Sequence, residues 1–308
     1  MSGARANVSD RRSELADFLR GRRMRAAPAA GVAFAGKRRR TPGLRREEIA
    51  QLAGLSVDWY TRLEQGRDVN PSRETLEAIA RVLKLDDDER GHLFYLARPE
   101  PAGAAARSAA QKERAEPAMA RALEAMRAPA FVFSPRFDVL AWNEAACRLL
   151  VDFGDVPPRK RNLLWLTFRH AAYRARYADI GTIEREVVAA FRFSASSYVG
   201  DPEFDALIAD LLETSEAFQV IWARHEVRAK VSGTKAFRVE GGGAGGRDAD
   251  RGAPLLLEWH TLASTTSSRQ QLVYYMARAA GGPEDERRLA ALCGAAADAG
   301  AAVKRAQG

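Results

Sequence analysis

The sequence predicts two domains of different class. An all-α domain occupies residues 1–98, and an α+β domain with an antiparallel sheet occupies residues 118–285. Three observations carry this. Up to about residue 97 the apolar residues recur at three- and four-residue spacing, the period of helices. Residues 99–117 are rich in Ala, Pro and charge, with Pro99, Pro101 and Pro117, and read as a linker. Beyond Ala118, short alternating aromatic and β-branched runs appear, with helical stretches between them.

The elements follow in order. Residues 11–24 place Leu15, Phe18 and Leu19 on one helical face, with arginines around the rest. Residues 26–36 are small and read as a loop, and Lys37, Arg38, Arg39 and Arg40 form a basic cluster behind it. Ser72 is placed to cap a helix that carries Leu76, Ile79, Ala80 and Leu83. The acidic run 86–89 opens the next helix, where acids suit the dipole and are read as structure rather than metal ligands. Residues 131–133 and 137–142 read as a hairpin across Ser134-Pro135-Arg136. Helices are expected near 144–151, 182–193, 203–212 and 216–224. Strands are expected over 227–231, 235–239, 255–262 and 271–277. The glycine run 241–246 reads as a loop, and residues 286–308 as an Ala-rich tail.

The sharpest local signal lies between Arg46 and Gly66. Ile49 and Ala53 share a helix face. Gly54 stands where a helix end needs a left-handed residue, a conformation open to glycine at little steric cost. Ser56 is placed to cap a second helix, and Tyr60 and Leu63 can face back onto Ile49, Ala53 and Leu55. Ala50 is small where the helices cross. The pattern is a helix-turn-helix, whose second helix fits the DNA major groove.

Charge agrees with that reading. Residues 1–46 hold 13 Lys/Arg against three Asp/Glu, a surplus of 10, whereas the whole chain of 308 residues carries only +8. A basic block on a near-neutral body points to a polyanion, nucleic acid before membrane. The two cysteines, Cys147 and Cys293, make neither a disulfide framework nor a CxxC metal pair, and suit a reducing, cytoplasmic setting. No apolar run is long enough to span a membrane, and the first residues lack a signal core.

The stretch Arg40-Thr-Pro-Gly-Leu-Arg-Arg-Glu-Glu-Ile-Ala-Gln-Leu-Ala-Gly-Leu-Ser-Val-Asp-Trp-Tyr-Thr-Arg-Leu-Glu-Gln-Gly-Arg67 resembles the phage-repressor-like (XRE) helix-turn-helix. More narrowly, it resembles the actinobacterial MmyB-like transcription regulators. The second half is similar to the same family at Phe133-Ser-Pro-Arg-Phe-Asp-Val-Leu-Ala-Trp-Asn143, Asn162-Leu-Leu-Trp-Leu-Thr-Phe168, Asp201-Pro202, Phe218, Trp222-Ala-Arg-His225 and Leu272-Val-Tyr-Tyr275. The resemblance covers residues 11–285. It implies a five-helix DNA-binding domain and a PAS-like ligand-binding domain taking a fatty acid or similar small apolar molecule. Most family members carry a His-Pro step after the strand read at 237–240, where this chain has its glycine run. The tail past Gly294 has no counterpart there.

On the second helix, Val57, Asp58, Thr61 and Arg62 are expected to face outward. Arg62 can pair with guanine, Val57 can meet a thymine methyl, Asp58 can accept from cytosine, and Thr61 can bond a base edge or phosphate. Ser56, Arg45 and Arg46 sit at helix starts, where the motif approaches phosphate. The cluster Lys37, Arg38, Arg39 and Arg40 is expected to bind backbone phosphate or reach into a groove.

For the ligand, Trp142, Trp165, Phe168, Trp222 and Arg224 are the candidate contacts, since pockets are mostly apolar with a few polar groups. Arg224 could take a carboxylate. The expected partners are double-stranded DNA, a small apolar ligand and a second copy of the chain, with no membrane, metal or cofactor.

Catalytic patterns are missing. There is no GxSxG, HExxH or Walker A motif, and the glycine run lacks the Lys-Ser/Thr of a phosphate loop. Ser232-Gly-Thr-Lys235 has an Ser-x-x-Lys spacing without its partner motifs. His92, His170, His225 and His260 are scattered and read as polar core or surface. No enzyme activity is expected.

Overall fold

The computed structural model describes residues 2–26, 43–97, 114–198, 201–228, 232–239, 253–265, 269–278, 283–298 and 304–305. The cluster 37–40, most of the expected linker and the run 241–246 lie outside the described residues.

The first domain is helical: α1 (Ser2–Arg25), α2 (Arg46–Ala53), α3 (Val57–Glu64), α4 (Arg73–Val82) and α5 (Asp87–Ala97). Helix α1 starts earlier than its apolar spacing suggested. Helices α2 to α5 have 8–11 residues each, too short to stand alone in water. A shared core holds them, with Phe18, Leu19, Ile49, Tyr60, Leu63, Leu76, Ile79 and Leu93 buried. Each such side chain contributes about 1.5–3 kcal/mol on burial.

Side chains set the helix starts. Ser72 Oγ accepts from Thr75 N–H at 3.2 Å. Asp86 Oδ1 accepts from Glu89 N–H at 2.9 Å while the Glu89 carboxylate accepts from Asp86 N–H at 3.2 Å, a reciprocal capping box. Those acids therefore serve the helix, as the sequence suggested. The chain re-enters beside the end of α1 at Gly43, where φ is +88° and an added Cβ would lie 2.4 Å from the Arg23 carbonyl oxygen.

The second domain runs α6 (Pro117–Ala125), β1 (Ala130–Phe133), β2 (Val139–Trp142), α7 (Glu144–Leu149), α8 (Leu163–Arg169), α9 (Ala171–Ala175) and α10 (Ile180–Ala195). It continues with α11 (Pro202–Thr214), α12 (Glu216–Trp222), β3 (Ser232–Phe237), β4 (Leu255–Ala263), β5 (Gln271–Ala277), α13 (Pro283–Asp298) and β6 (Lys304–Arg305). The antiparallel sheet has the order β3-β4-β5-β1-β2, with the two-residue β6 added beside β2. Counted in chain order from the other edge, its five main strands read 2-1-5-4-3, the order of a PAS-like sheet.

The sheet's period of two divides its side chains. Phe131, Phe133, Trp142, Phe237, Trp259 and Tyr275 enter the core beneath the helices. Ala130, Val132, Ala141 and Leu272 turn to the other face, where Leu123 of α6 covers them, and Leu140 joins them because a bulge opposite Val132 and Phe133 breaks the period in β2. With both faces covered, every residue of β1 and β2 is buried.

Four expectations need correcting. Residues 227 and 228, read as the start of a strand, are not in one. Val227 is an apolar plug, buried in the core of the helical domain. The tail read at 286–308 carries α13, because Leu289 and Leu292 give it an apolar stripe against the sheet core. Residues 304–305 then pair with Trp142 and Ala141. The expected linker ends before Pro117. Gln270 donates to the Arg114 carbonyl at 2.7 Å and accepts from Glu116 N–H at 2.8 Å, and Pro117 opens α6, where its missing N–H is not needed. Finally, α8 and α9 stand where the sequence pattern suggests no element. Asn162 caps the first, accepting from Leu164 and Trp165 N–H, and His170 Nδ1 caps the second by accepting from Tyr173 N–H at 3.1 Å.

Candidate nucleic-acid interface and ligand cavity

Helix α2 ends in a two-bond turn. Leu55 N–H donates to the Ala50 carbonyl at 2.7 Å and Gly54 N–H to the Gln51 carbonyl at 3.3 Å, with Gly54 at φ +70°. Ser56 then starts α3, its Oγ accepting from Trp59 N–H at 3.1 Å. The turn fixes which face of α3 is free. Tyr60 and Leu63 are buried; Val57, Asp58 and Arg62 are exposed, and Thr61 is half-buried. The four residues expected to read bases thus keep surface on α3, as does half-buried Trp59.

The other end of α3 is anchored. Glu64 is fully buried, and its carboxylate accepts from Arg23 Nε at 2.7 Å and Arg23 Nη2 at 3.0 Å. Arg46 Nε and Nη2 reach the same carboxylate at 3.0 and 2.8 Å. Burial pushes the Glu64 carboxyl up, but the two guanidiniums outweigh it and hold it below the usual range. Arg46, expected at a phosphate, thus braces α3 against α2 and keeps 40% of its side chain exposed. Arg45 is half-buried beside it, its backbone N–H donating to the Glu48 carboxylate at 2.7 Å.

The two domains meet along α1 and α5. Arg22 Nη2 donates to the His225 carbonyl at 3.2 Å, and Arg25 donates to the Arg224 carbonyl. Phe193 packs beside Val227 on the helical core. Within this seam lies a cavity of about 330 Å³. Leu96, Tyr198, Phe204, Ile208 and Trp222 form its apolar part, and Glu14, His92 and Arg192 are among its polar groups.

Arg192 on α10 dominates the cavity. It is 3% exposed, and its guanidinium lies 3.6 Å from the centre of the Trp222 ring. One nitrogen donates to the Trp222 carbonyl. Nε and Nη1 have no hydrogen-bond partner among the described residues; the nearest anion, Glu14 on α1, stands 3.5 Å from Nη1. Burial pushes Arg192 down to about 10, offset in part by Glu14. Burial likewise raises Glu14, against the pull of Arg192. His92, edge-on to Phe18, is pushed down to about 3, first by burial and then by Arg192 and Arg22, so it is neutral.

Of the five expected ligand contacts, Trp222 alone lines this cavity. Phe168 connects to it through Phe218, which packs edge-on to Phe168 at 5.3 Å and stacks on Trp222 at 5.4 Å. Trp142 is buried against Phe153 and Arg161, and Trp165 lies beneath Lys160. Arg224 is exposed, and its carbonyl rather than its guanidinium takes part in the seam. Arg192, His92 and Glu14 are not among the residues the sequence marks as ligand contacts. A signal existed for Arg192. It follows Glu184 and Val188 by eight and four residues, on the buried face of α10, where a cation is out of place.

A second cavity, about 210 Å³, lies beyond the turn at Ser196–Tyr198 and is lined by Phe137, Phe193, Arg228 and Arg269 among others. Among the described residues no cluster of His, Cys, Asp or Glu could hold a metal ion.

A helix-turn-helix whose second helix keeps an exposed face, braced by α1 and α2 and joined to a PAS-like domain, defines a DNA-binding transcription regulator with a ligand-binding domain. Family comparison agrees on both halves. Residues 14–93 match a helix-turn-helix domain model. Residues 115–292, more than half of the chain, match the MmyB-like transcription regulator ligand binding domain, and the protein belongs to that family. No curated protein matches the chain.

Proposed function

We propose that this protein is a ligand-responsive regulator that reads duplex DNA with α3 and senses a small apolar acid, an acyl compound such as a fatty acid, in its C-terminal domain. The single observation that carries the reading is the cavity at the seam. It places apolar walls and an arginine where the DNA-reading and ligand-binding domains touch. A ligand there has differential contacts with any arrangement that opens or shuts the seam, which is the requirement for shifting an equilibrium.

Val57, Asp58, Thr61 and Arg62 read base edges in this proposal, with Ser56, Arg45, Arg46 and the cluster 37–40 toward phosphate. The regulator acts in the cytoplasm as a homodimer on two half-sites, about 34–36 Å apart or a multiple of that. It is not an enzyme. Among the described residues no helix is long and apolar enough to cross a membrane.

The test is extraction of the purified protein with organic solvent, followed by mass spectrometry of what is released and titration of promoter DNA before and after extraction. An acyl acid in the extract, with DNA affinity changed by its removal and restored by its return, is the expected result. Unchanged DNA affinity leaves a DNA-binding protein without a sensor.

A further inference from the structure

We infer that the interdomain cavity is a carboxylate site in which an incoming acid takes Arg192 away from Glu14 and so loosens α1 from the ligand-binding domain. This rests on the reading that the C-terminal domain takes a small acid, and adds the site and the mechanism of its coupling.

Arg192 is a poorly served cation. A buried guanidinium needs acceptors for its donors, and leaving them unmade is costly. Arg192 uses one nitrogen on the Trp222 carbonyl and leaves Nε and Nη1 open. Its ring partner Trp222 holds the guanidinium plane in place. A carboxylate can accept from Nη1 or from Nε, and it forks onto two nitrogens only where Nη2, which already donates to the Trp222 carbonyl, is one of them.

Glu14 is the present counter-charge, but at 3.5 Å it makes no hydrogen bond to Nη1. It approaches from the other domain, on α1, and is 36% exposed. Solvent lies within its reach, so it can leave Arg192 without being stranded. Two further acids line the cavity: Asp17 on α1, which accepts from Arg20 at 3.0 Å, and Asp205 on α11; Arg192 is the one Lys or Arg among the lining residues. Arg192 is therefore the cation for which a ligand carboxylate and Glu14 compete.

The rest of the cavity suits the body of such an acid. Tyr198 stacks on Phe204 at 4.7 Å, and with Ile208, Leu96 and Trp222 they form a continuous apolar wall. A volume near 330 Å³ is at the small end of ligand sites, which run about 300–1,000 Å³. It fits a medium-chain or a compact aromatic acid. Neutral His92 adds a ring whose two nitrogens have no partner among the described residues.

The test uses the full-length protein with decanoate and 1-naphthoate as probes and decan-1-ol as the uncharged control. Binding is read by calorimetry. Loosening is read by hydrogen exchange of the α1 amides. The wild type is expected to bind one acid or both at least about tenfold more tightly than the alcohol, and the better acid distinguishes an acyl from an aryl body. Glu14→Gln removes the competitor and should tighten acid binding about tenfold; Arg192→Gln should abolish it. Bound acid should speed exchange over residues 14–25.

If Arg192→Gln fails to fold, Glu14→Gln and the alcohol control decide. Equal acid affinity in wild type and Glu14→Gln overturns the displacement, and so does binding without faster exchange. Neither result touches the sensor reading, which falls only if no extracted ligand alters DNA affinity. Absence of binding by both acids overturns the carboxylate site.

Discussion

Glu64, the last residue of α3, accepts two hydrogen bonds from Arg23, the third-last residue of α1, at 2.7 and 3.0 Å. That contact sets the angle at which α3 leaves the domain, because Arg46 grips the same carboxylate from α2. Removing one partner of a buried pair strands the others, which typically costs about 3–5 kcal/mol. Partial exposure of Arg46 puts this site at the lower end. Glu64→Ala is expected to lose about 3 kcal/mol of stability at neutral pH, measured by urea denaturation. A loss below about 1 kcal/mol would class the contact with ordinary surface pairs.

Base reading is expected to sit on the exposed face of α3. Arg62→Ala should lose roughly 1–3 kcal/mol at a single base pair and relax specificity there. A footprint over the protein's own promoter region compares the wild type with a Val57/Thr61/Arg62 triple alanine variant. An unchanged footprint would assign recognition to another element.

The cluster Lys37, Arg38, Arg39 and Arg40 is expected to hold phosphate without choosing sequence. Neutralising all four should weaken specific and random DNA alike. It should also flatten the plot of log K against log salt by about 0.9 for each DNA phosphate the cluster neutralises. An unchanged slope would leave the cluster in solvent.

Acid should weaken the structure at the seam. Burial holds His92 at about 3 and His225 at about 4, both depressed from 6.5. Protons therefore bind the unfolded chain before the folded one. The stability these groups confer by staying neutral is complete above pH 6.5 and is lost as pH falls toward 4 and then 3. For fully buried His92 the limit is about 1.4 kcal/mol per pH unit; half-buried His225 gives less. Around His92 stand Arg192, Arg22 and His225, all positive or able to become so. Thermal denaturation of wild type and His92→Phe between pH 7 and 4.5 measures this, and the variant's curve should fall less steeply. Parallel curves would remove His92 from the acid response.

What could be read from the sequence was what its neighbours in the chain decide. Gly54, Ser56 and the spacing of Ile49, Tyr60 and Leu63 form a local code, and the helix-turn-helix followed from it residue by residue. Strand β4 was equally plain, its burial alternating from Leu255 to His260, and β5 was readable as a short apolar run bounded by Gln271 and Ala277. Val227 was not plain. A β-branched residue beside Arg228 reads as strand, and only the distant helical core explains why it is buried. Helix α8 is hidden because Leu163, Leu164, Leu166 and Phe168 give no period over seven residues. The cavity was the least legible part. Its walls come from α1, α5, α10, α11 and α12, and no local spacing brings Glu14 to Arg192. Trp222 stands out by its bulk and does line the cavity. Trp142 stands out for the same reason and is core, because bulk alone does not say which side chain borders empty space.

The outward face of α3 stays open while α1 is fastened to the ligand-binding domain. A regulator that silenced itself by hiding its reading head would have covered Val57 and Arg62, and here both face solvent. Among the described residues the ligand-binding domain leaves Val57 and Arg62 uncovered. In the proposed regulator, what it adjusts is bearing. DNA presents the same groove once per helical turn, about 10–10.5 base pairs. In the proposed dimer, a small swing of α1 about the seam moves the second reading head out of phase with its half-site and leaves each head's grip unaltered. Control of this kind would appear as a change in the preferred spacing of half-sites, with the affinity for a lone half-site held constant.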